Sequence, residues 1–205
     1  MHAALLSSFG GPDGRLLAAC HRNDVAGAIS AIEDGADIEA HDQSVVTMLG
    51  ALWHCWTPLI WAASEGHTDV CRVLLEHNAE PERKAADGTS PLKAASAKDR
   101  TDVVKLLLAR SCSPNLRDVY EATPLVYASF YGHAEVVALL LAAGADKELA
   151  TSSAVGGLTP LLAAARGDKP DVCTLLLNAG ADKTARGADG QVRAARAASL
   201  VCVFV

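Results

Sequence analysis

Four Thr/Ser-Pro-Leu triplets begin at Thr57, Ser90, Thr123 and Thr159, at spacings of 33, 33 and 36 residues. Each is followed at a fixed distance by a small-residue pair: Ala62-Ala63, Ala95-Ser96, Ala128-Ser129 and Ala164-Ala165. Each then runs into a leucine-rich stretch: Val73-Leu74-Leu75, Leu106-Leu107-Leu108, Leu139-Leu140-Leu141 and Leu175-Leu176-Leu177. This period constrains the fold more tightly than composition does. At 205 residues, half of them apolar, the chain has material for one or two globular domains. A unit of one period holds only two short helices and a loop, and alone it cannot bury both its faces. It must stack on copies of itself, so the repetition predicts one elongated solenoid.

The segment Thr123 to Asp146 shows the unit most regularly. Thr123 suits a helix N-cap, and Pro124 the first helical position, where its fixed φ fits and its missing N–H is no loss. Leu125, Ala128 and Ser129 fall at i, i+3 and i+4, a narrow stripe that lets a neighbour pack closely. Gly132-His133 breaks the pattern as a turn. Val136, Val137 and Leu139 to Leu141 make a greasier second helix, which Gly144 ends as a left-handed C-cap.

On these residues the chain resembles the ankyrin repeat family over about residues 14–198. The resemblance implies an all-α ankyrin-repeat solenoid of stacked helix-turn-helix pairs with β-hairpin fingers between them. Repeats are expected at about 14–42, 57–89, 90–122, 123–155 and 159–191, with a partial copy at 192–198. Residues 1–13 are expected as an N-terminal tail, 43–56 as an apolar finger insertion and 199–205 as an apolar C-terminal tail. Repeat 1 lacks the triplet, but Leu16 with Ala19-Cys20 matches Leu59 with Ala62-Ala63, and a more polar outer surface suits a capping repeat.

Two places depart from the period. From Ala36 to Thr57 is 21 residues, where Ala79 to Ser90 is 11, so ten are extra, around Gln43 to Leu52. One reading is an apolar probe on the binding edge carrying Trp53 and Trp56, a residue type enriched at interface hot spots. The others are a loop folded back on its repeat and a gene-model artefact. The finger before repeat 5 is three residues longer, with Gly156-Gly157 at its tip. The chain ends Ser-Leu-Val-Cys-Val-Phe-Val, too greasy for an outer cap. It docks on repeat 5, meets a partner, or marks a chain that continues; it is also the feature that would fit a regulatory or targeting fragment of a larger enzyme or channel.

Chemistry is hard to find. Of six cysteines, Cys71 and Cys173 share a column with Val104 and Val137, while Cys20 matches Ala63 and Cys112 matches Ala79. Cysteine interchangeable with valine or alanine behaves as a small buried hydrophobe, and free thiols agree with a reducing compartment. There is no Cys-x-x-Cys and no zinc spacing. His67 and His133 share the inter-helix turn, where the resemblance implies a hydrogen-bonding role; Arg100 and Lys169 replace them elsewhere, so no shared reaction depends on an imidazole. No phosphate- or dinucleotide-binding glycine motif occurs. The expectation is a non-catalytic chain with no cofactor and no metal site.

The formal net charge of −6 argues against non-specific nucleic-acid binding, which needs a basic stripe. Residues 1–42 carry 2 Lys/Arg against 7 Asp/Glu, whereas 90–122 and 159–205 each carry 6 against 4. Such asymmetry would steer a partner of mixed charge; solvated surface explains it equally. Residues 1–13 lack a basic n-region, and no run approaches the roughly 18 apolar residues of a membrane span. A soluble monomer, cytoplasmic or nuclear, without membrane insertion is expected.

Binding remains, and the resemblance implies where. In ankyrin arrays the finger tips and the exposed turn-side residues of each first helix line a concave surface. Carried onto this chain, the expected partner-binding residues are Tyr120, Phe130, Tyr131, Arg117, Lys98, Trp56, Trp53, Glu65, Lys84, Asp87 and Arg166. Tyr120, Phe130 and Tyr131 beside Arg117 and Lys98 make a candidate hot-spot cluster for a protein or peptide of unknown identity. Phe130 packing on repeat 5 as core, and a purely structural spacer, are the competing readings. Asn115 occupies a finger-base position where many family members carry an asparagine open to β-hydroxylation.

Overall fold

The computed structural model describes residues 11–40 and 56–188, and within them the chain forms ten α-helices. They come in pairs: α1 (Pro12–Arg22) with α2 (Val25–Glu33), α3 (Pro58–Glu65) with α4 (Thr68–Glu76), and α5 (Pro91–Ala97) with α6 (Thr101–Ala109). Then follow α7 (Pro124–Tyr131) with α8 (Ala134–Ala142), and α9 (Pro160–Arg166) with α10 (Pro170–Asn178). First helices stack on first helices along the array, α1 on α3, α5, α7 and α9 in turn, and second helices do the same. The all-α repeat solenoid is the observed architecture.

The starts follow from local chemistry. The hydroxyl of Thr57 accepts the Ile60 N–H (3.4 Å) and that of Ser90 the Lys93 N–H (3.2 Å). Thr123 and Thr159 accept from Val126 and Leu162, both at 3.4 Å. Each cap satisfies one of the donors a helix start leaves free, and the following proline has no donor to leave free. Among the first helices only α1 starts without such a cap, behind Gly11; it takes in Pro12 and Asp13, two residues of the expected tail.

The core lies between the two helix layers, and the leucine of each triplet is sealed in it: Leu59, Leu92, Leu125 and Leu161. Every small-residue pair between Ala62-Ala63 and Ala164-Ala165 is buried as well. Helix α1 packs against α3 although the ten-residue surplus separates them, so that surplus leaves the stack intact. The surplus itself, with Trp53, lies outside the described residues, as do residues 1–10 and the partial repeat and tail beyond 188.

The inter-helix turn takes the left-handed conformation at Asn23, Gly66, Asp99, Gly132 and Asp168, with φ between 56° and 88°. The residue after it latches onto the previous repeat. Arg100 Nε donates to the Ser64 carbonyl (3.0 Å), and the Nε2 atoms of His67 and His133 meet the carbonyls of His21 and Ala97, each at 3.2 Å. Glycine leaves room where a long cation crosses the preceding turn: a Cβ on Gly66 would meet Arg100 Cδ at 2.8 Å, and one on Gly132 would meet Lys169 Cδ at 2.6 Å, so either side chain would have to shift.

Second helices end in a left-handed residue too: Gly35, Asn78, Ser111, Gly144 and Gly180. Ser111, at φ 62°, is the least suited of these, lacking the amide that helps asparagine there. Ser111→Gly is expected to stabilise the protein by about 0.5–1 kcal/mol, the left-handed penalty less the entropy glycine adds to the unfolded chain. A urea midpoint that stays level or falls would contradict this.

The described residues contain no β-strand to make the expected hairpin fingers; a single bridge position, at Arg186, is the extent of ladder pairing among them. The reason lies in the side chains. Asp87 Oδ1 takes the Thr89 N–H, and Asp118 Oδ1 takes those of Tyr120 and Ala122, all at 2.9 Å, closing the tips as tight turns. Each loop keeps one backbone bond across itself, Ala85 N–H to Thr89 (2.9 Å), Asp118 N–H to Ala122 (3.1 Å) and Thr151 N–H to Leu158 (3.0 Å), and the loops also bond sideways. Val119 N–H donates to Asp87 (3.3 Å), Ser152 to Tyr120 (2.8 Å) and Ala188 to Gly156 (2.8 Å), so neighbouring tips are tied to one another.

Candidate functional site

Helix α7 turns Leu125, Ala128 and Ser129 toward the stack, which leaves the aromatics of its last turn outside. Phe130 and Tyr131 meet edge to face at 5.2 Å, and Tyr131 stacks on His133 at 5.9 Å. Opposite them stands Tyr120 on the loop tip that Asp118 holds. The far wall is the loop before repeat 5. Its three extra residues form a 3-10 turn, Ser153–Val155, which lifts Val155 to the surface, and Gly156 (φ 109°) and Gly157 (φ 57°) turn the chain back. Tyr120, Val126, Phe130, Tyr131, Val155 and Leu158 thus line one apolar groove of about 220 Å³. Among the described residues, the large hydrophobic side chains left exposed are Val119, Tyr120, Phe130, Tyr131 and Val155, between 37% and 58% accessible, and all belong to this region.

Under the groove lies a buried polar cluster. Lys93 Nζ donates to Asp118 Oδ2 (2.6 Å) and to Thr89 Oγ1 (3.1 Å), and sits 4.7 Å from the centre of the Tyr127 ring. The Tyr127 hydroxyl donates to the same Asp118 oxygen (2.7 Å), while Thr89 donates to Asp87 (2.7 Å). Both ion-pair side chains are almost fully buried. One repeat earlier the equivalent positions are Ile60, Ala85 and Ala94, an apolar patch with Trp56 packed against it. Asp118 also fixes the amides of Tyr120 and Ala122, so the cluster positions the loop that carries Tyr120.

Burial, and then its bond to Asp118, push the Tyr127 hydroxyl well above its ordinary value of 10.0; the charges of Asp118, Tyr131 and Asp87 act the same way. A folded-state pKa above the unfolded one means stability that is present below about pH 10 and lost as pH rises further. Alkaline unfolding is therefore expected to be less steep in Tyr127→Phe than in wild type. Parallel profiles above pH ~10 would contradict that assignment.

The remaining expected binding residues are spread along the array. Arg117 pairs with Glu121 (3.5 Å), and its carbonyl accepts Lys84 Nζ (2.9 Å). Asp87 is engaged in its own turn. Lys98 is exposed at the end of α5, and Arg166 is exposed at the end of α9 with its guanidinium beside Gly156 at the groove's far wall. Glu65 ends α3, away from the aromatics. Trp56 is half-buried against Trp61, ring centres 4.7 Å apart, rather than presented to solvent. Asn115 bridges repeats: its Oδ1 accepts the Asp146 N–H (2.8 Å) and its Nδ2 donates to the Gly144 carbonyl (3.4 Å). Glu39, Glu82 and Glu148 accept an N–H of the next repeat in the same way.

Sequence reading placed Val155 and Leu158 on the finger surface but missed Lys93, Asp118, Tyr127 and Val126. A signal existed for Lys93. Its column otherwise holds Ile60, Val126 and Leu162, so a lysine there is out of place unless it has a buried partner.

The described cysteines are not arranged as nucleophiles. Cys20, Cys71, Cys112 and Cys173 are buried free thiols, and burial raises all four, Cys71 to about 12 and Cys112 and Cys173 to about 11. Thiols held protonated are poor nucleophiles. Among the described residues no three His, Cys, Asp or Glu side chains are grouped to hold a metal ion. No described helix is long and apolar enough to cross a membrane.

Comparison with known proteins agrees with this repeat geometry. A family model described as ankyrin repeats (3 copies) matches residues 16–118 and 111–187. The 2-5A-dependent ribonuclease of Mus musculus is 33% identical over 79 residues, which is 38% of this chain and 10% of that protein. The similarity thus spans about a tenth of the length of that relative. A match that runs from Leu16 to Gly187, across all five stacked helix pairs, makes this chain a member of the ankyrin repeat family.

Proposed function

We propose that this chain is a non-catalytic interaction module that holds a protein or peptide partner in the groove formed by Tyr120, Phe130, Tyr131 and Val155. Ankyrin repeats are in general protein-interaction modules. The observation that supports this groove is the gathering, among the described residues, of the exposed large hydrophobic side chains at one place. Tyrosine and phenylalanine give large contact area with few rotamers to freeze on binding. The array acts as a scaffold, in a reducing compartment such as the cytoplasm or nucleus that suits its free thiols.

The test is a pull-down with wild type and with the Tyr120→Ala/Phe130→Ala/Tyr131→Ala variant, read by mass spectrometry. All three side chains are exposed, so the variant is expected to keep its melting temperature. Proteins retained by wild type and lost from the variant support the groove. Two identical protein lists would favour a spacer role.

A second reading has one observation in its favour: the matched relative is an enzyme of which these repeats resemble a small part. In that reading the array regulates or targets a catalytic module carried on the same polypeptide, and the groove receives that module. A full-length transcript without such a module would remove it.

A further inference from the structure

The groove's charge narrows what it takes. The chain carries a formal net charge of −6, yet the aromatic pair on α7 has a cation on each flanking helix. Lys98 ends α5 at the repeat position Tyr131 holds on α7; it follows Ala97, whose carbonyl meets the His133 ring on which Tyr131 stacks. Arg166 ends α9 at the position of Phe130, against the Gly156 turn beyond Val155. Among the described residues neither cation pairs with a carboxylate, and three acids of this region face other groups. Asp118 is buried with Lys93, Glu121 faces Arg117, and Asp99 lies 3.7 Å from His133 Nδ1. Resting on the groove as the docking site, we propose that its occupant is an extended, acidic peptide segment with one large apolar side chain seated between Phe130, Tyr131 and Val155, and Asp or Glu on both sides of it.

Geometry sets the spacing. Adjacent packed helices lie roughly 8–10 Å apart, and an extended peptide advances about 3.3 Å per residue. A chain crossing α5, α7 and α9 therefore places its acids about three residues before and after the apolar anchor. The apolar contact supplies affinity, while the two cations set register and speed encounter. Single-stranded RNA is the competing occupant, since aromatics with cations also stack bases. The apolar Val155–Leu158 wall, which suits an aliphatic or aromatic side chain better than a ribose-phosphate backbone, favours the peptide.

The experiment is selection of a random peptide display library on the 205-residue chain, followed by anisotropy titrations with the selected peptides made synthetically. Enrichment of an apolar residue flanked at that spacing by acids is expected. Lys98→Glu/Arg166→Glu is expected to weaken those peptides about tenfold, and peptides with the acids changed to lysine are expected to regain affinity for that variant. Peptides enriched without acids, or indifferent to charge reversal, would overturn this inference and leave the docking groove standing if Tyr131→Ala abolishes them. Should no peptide depend on Tyr120, Phe130 or Tyr131, the groove itself fails. Competition by a labelled single-stranded RNA, dimerisation through this face, or peptide binding that emerges only after residues 189–205 are removed would assign another occupant and overturn the inference.

Discussion

Asp118→Ala is expected to lower stability by about 3–5 kcal/mol, because it strips a buried lysine of its counter-charge. Lys93 is left with Thr89 as its remaining hydrogen-bond partner, and Tyr127 loses its acceptor. The amides of Tyr120 and Ala122 lose theirs as well, so the loop carrying part of the groove loosens. The array contains its own control. At the preceding interface the same positions are filled by Ile60 and Ala85 and pack without charge. Lys93→Ile/Asp118→Ala with Tyr127→Phe should therefore recover most of the loss, since replacing a whole buried pair by apolar groups is often neutral or stabilising. Urea unfolding of single, triple and wild-type chains decides the matter. If the triple variant is as unstable as Asp118→Ala, the cluster contributes through its shape or loop bonds rather than by charge pairing.

Gly167→Ala is expected to cost about 1–3 kcal/mol, the range for forcing extra volume into a packed contact. A Cβ there would stand 2.1 Å from the Phe130 carbonyl oxygen and 3.4 Å from that of Ala163. Both obstacles are backbone, so no side chain can swing aside; the end of α9 must lift from α7. That movement separates Arg166 from the aromatic pair, and partner binding should weaken along with stability. Retained binding in a destabilised Gly167→Ala protein would show that the groove tolerates a shifted α9.

The helix pairs were legible because their signals are local and repeat: a hydroxyl cap, a proline behind it, a small-residue pair, a leucine run. Tyr120, Phe130 and Tyr131 were legible as a group because they fall off the buried stripe in one repeat and its adjoining loop. The extent of pairing in the fingers was not legible, for a physical reason. Asp87 and Asp118 look like surface charges in a linear reading, but their carboxylates take the amide groups a hairpin ladder would use. The Lys93–Asp118–Tyr127 cluster joins residues separated by up to 34 positions, and none belongs to a motif. Only a column-by-column comparison shows a lysine among isoleucine, valine and leucine. Gly167 gave no hint at all, since its column otherwise carries Glu65, Lys98 and Tyr131.

The central claim is that recognition takes place on the first-helix and loop side of the stack, at the α7 aromatics. It is tested most directly by placing a photo-crosslinking amino acid in the intact chain at position 120 or 131, and in separate proteins at the exposed second-helix positions Glu76 and Ala138. Irradiation in cells should give discrete covalent adducts from positions 120 and 131 and none from 76 and 138. Adducts from the second-helix positions alone would contradict the account.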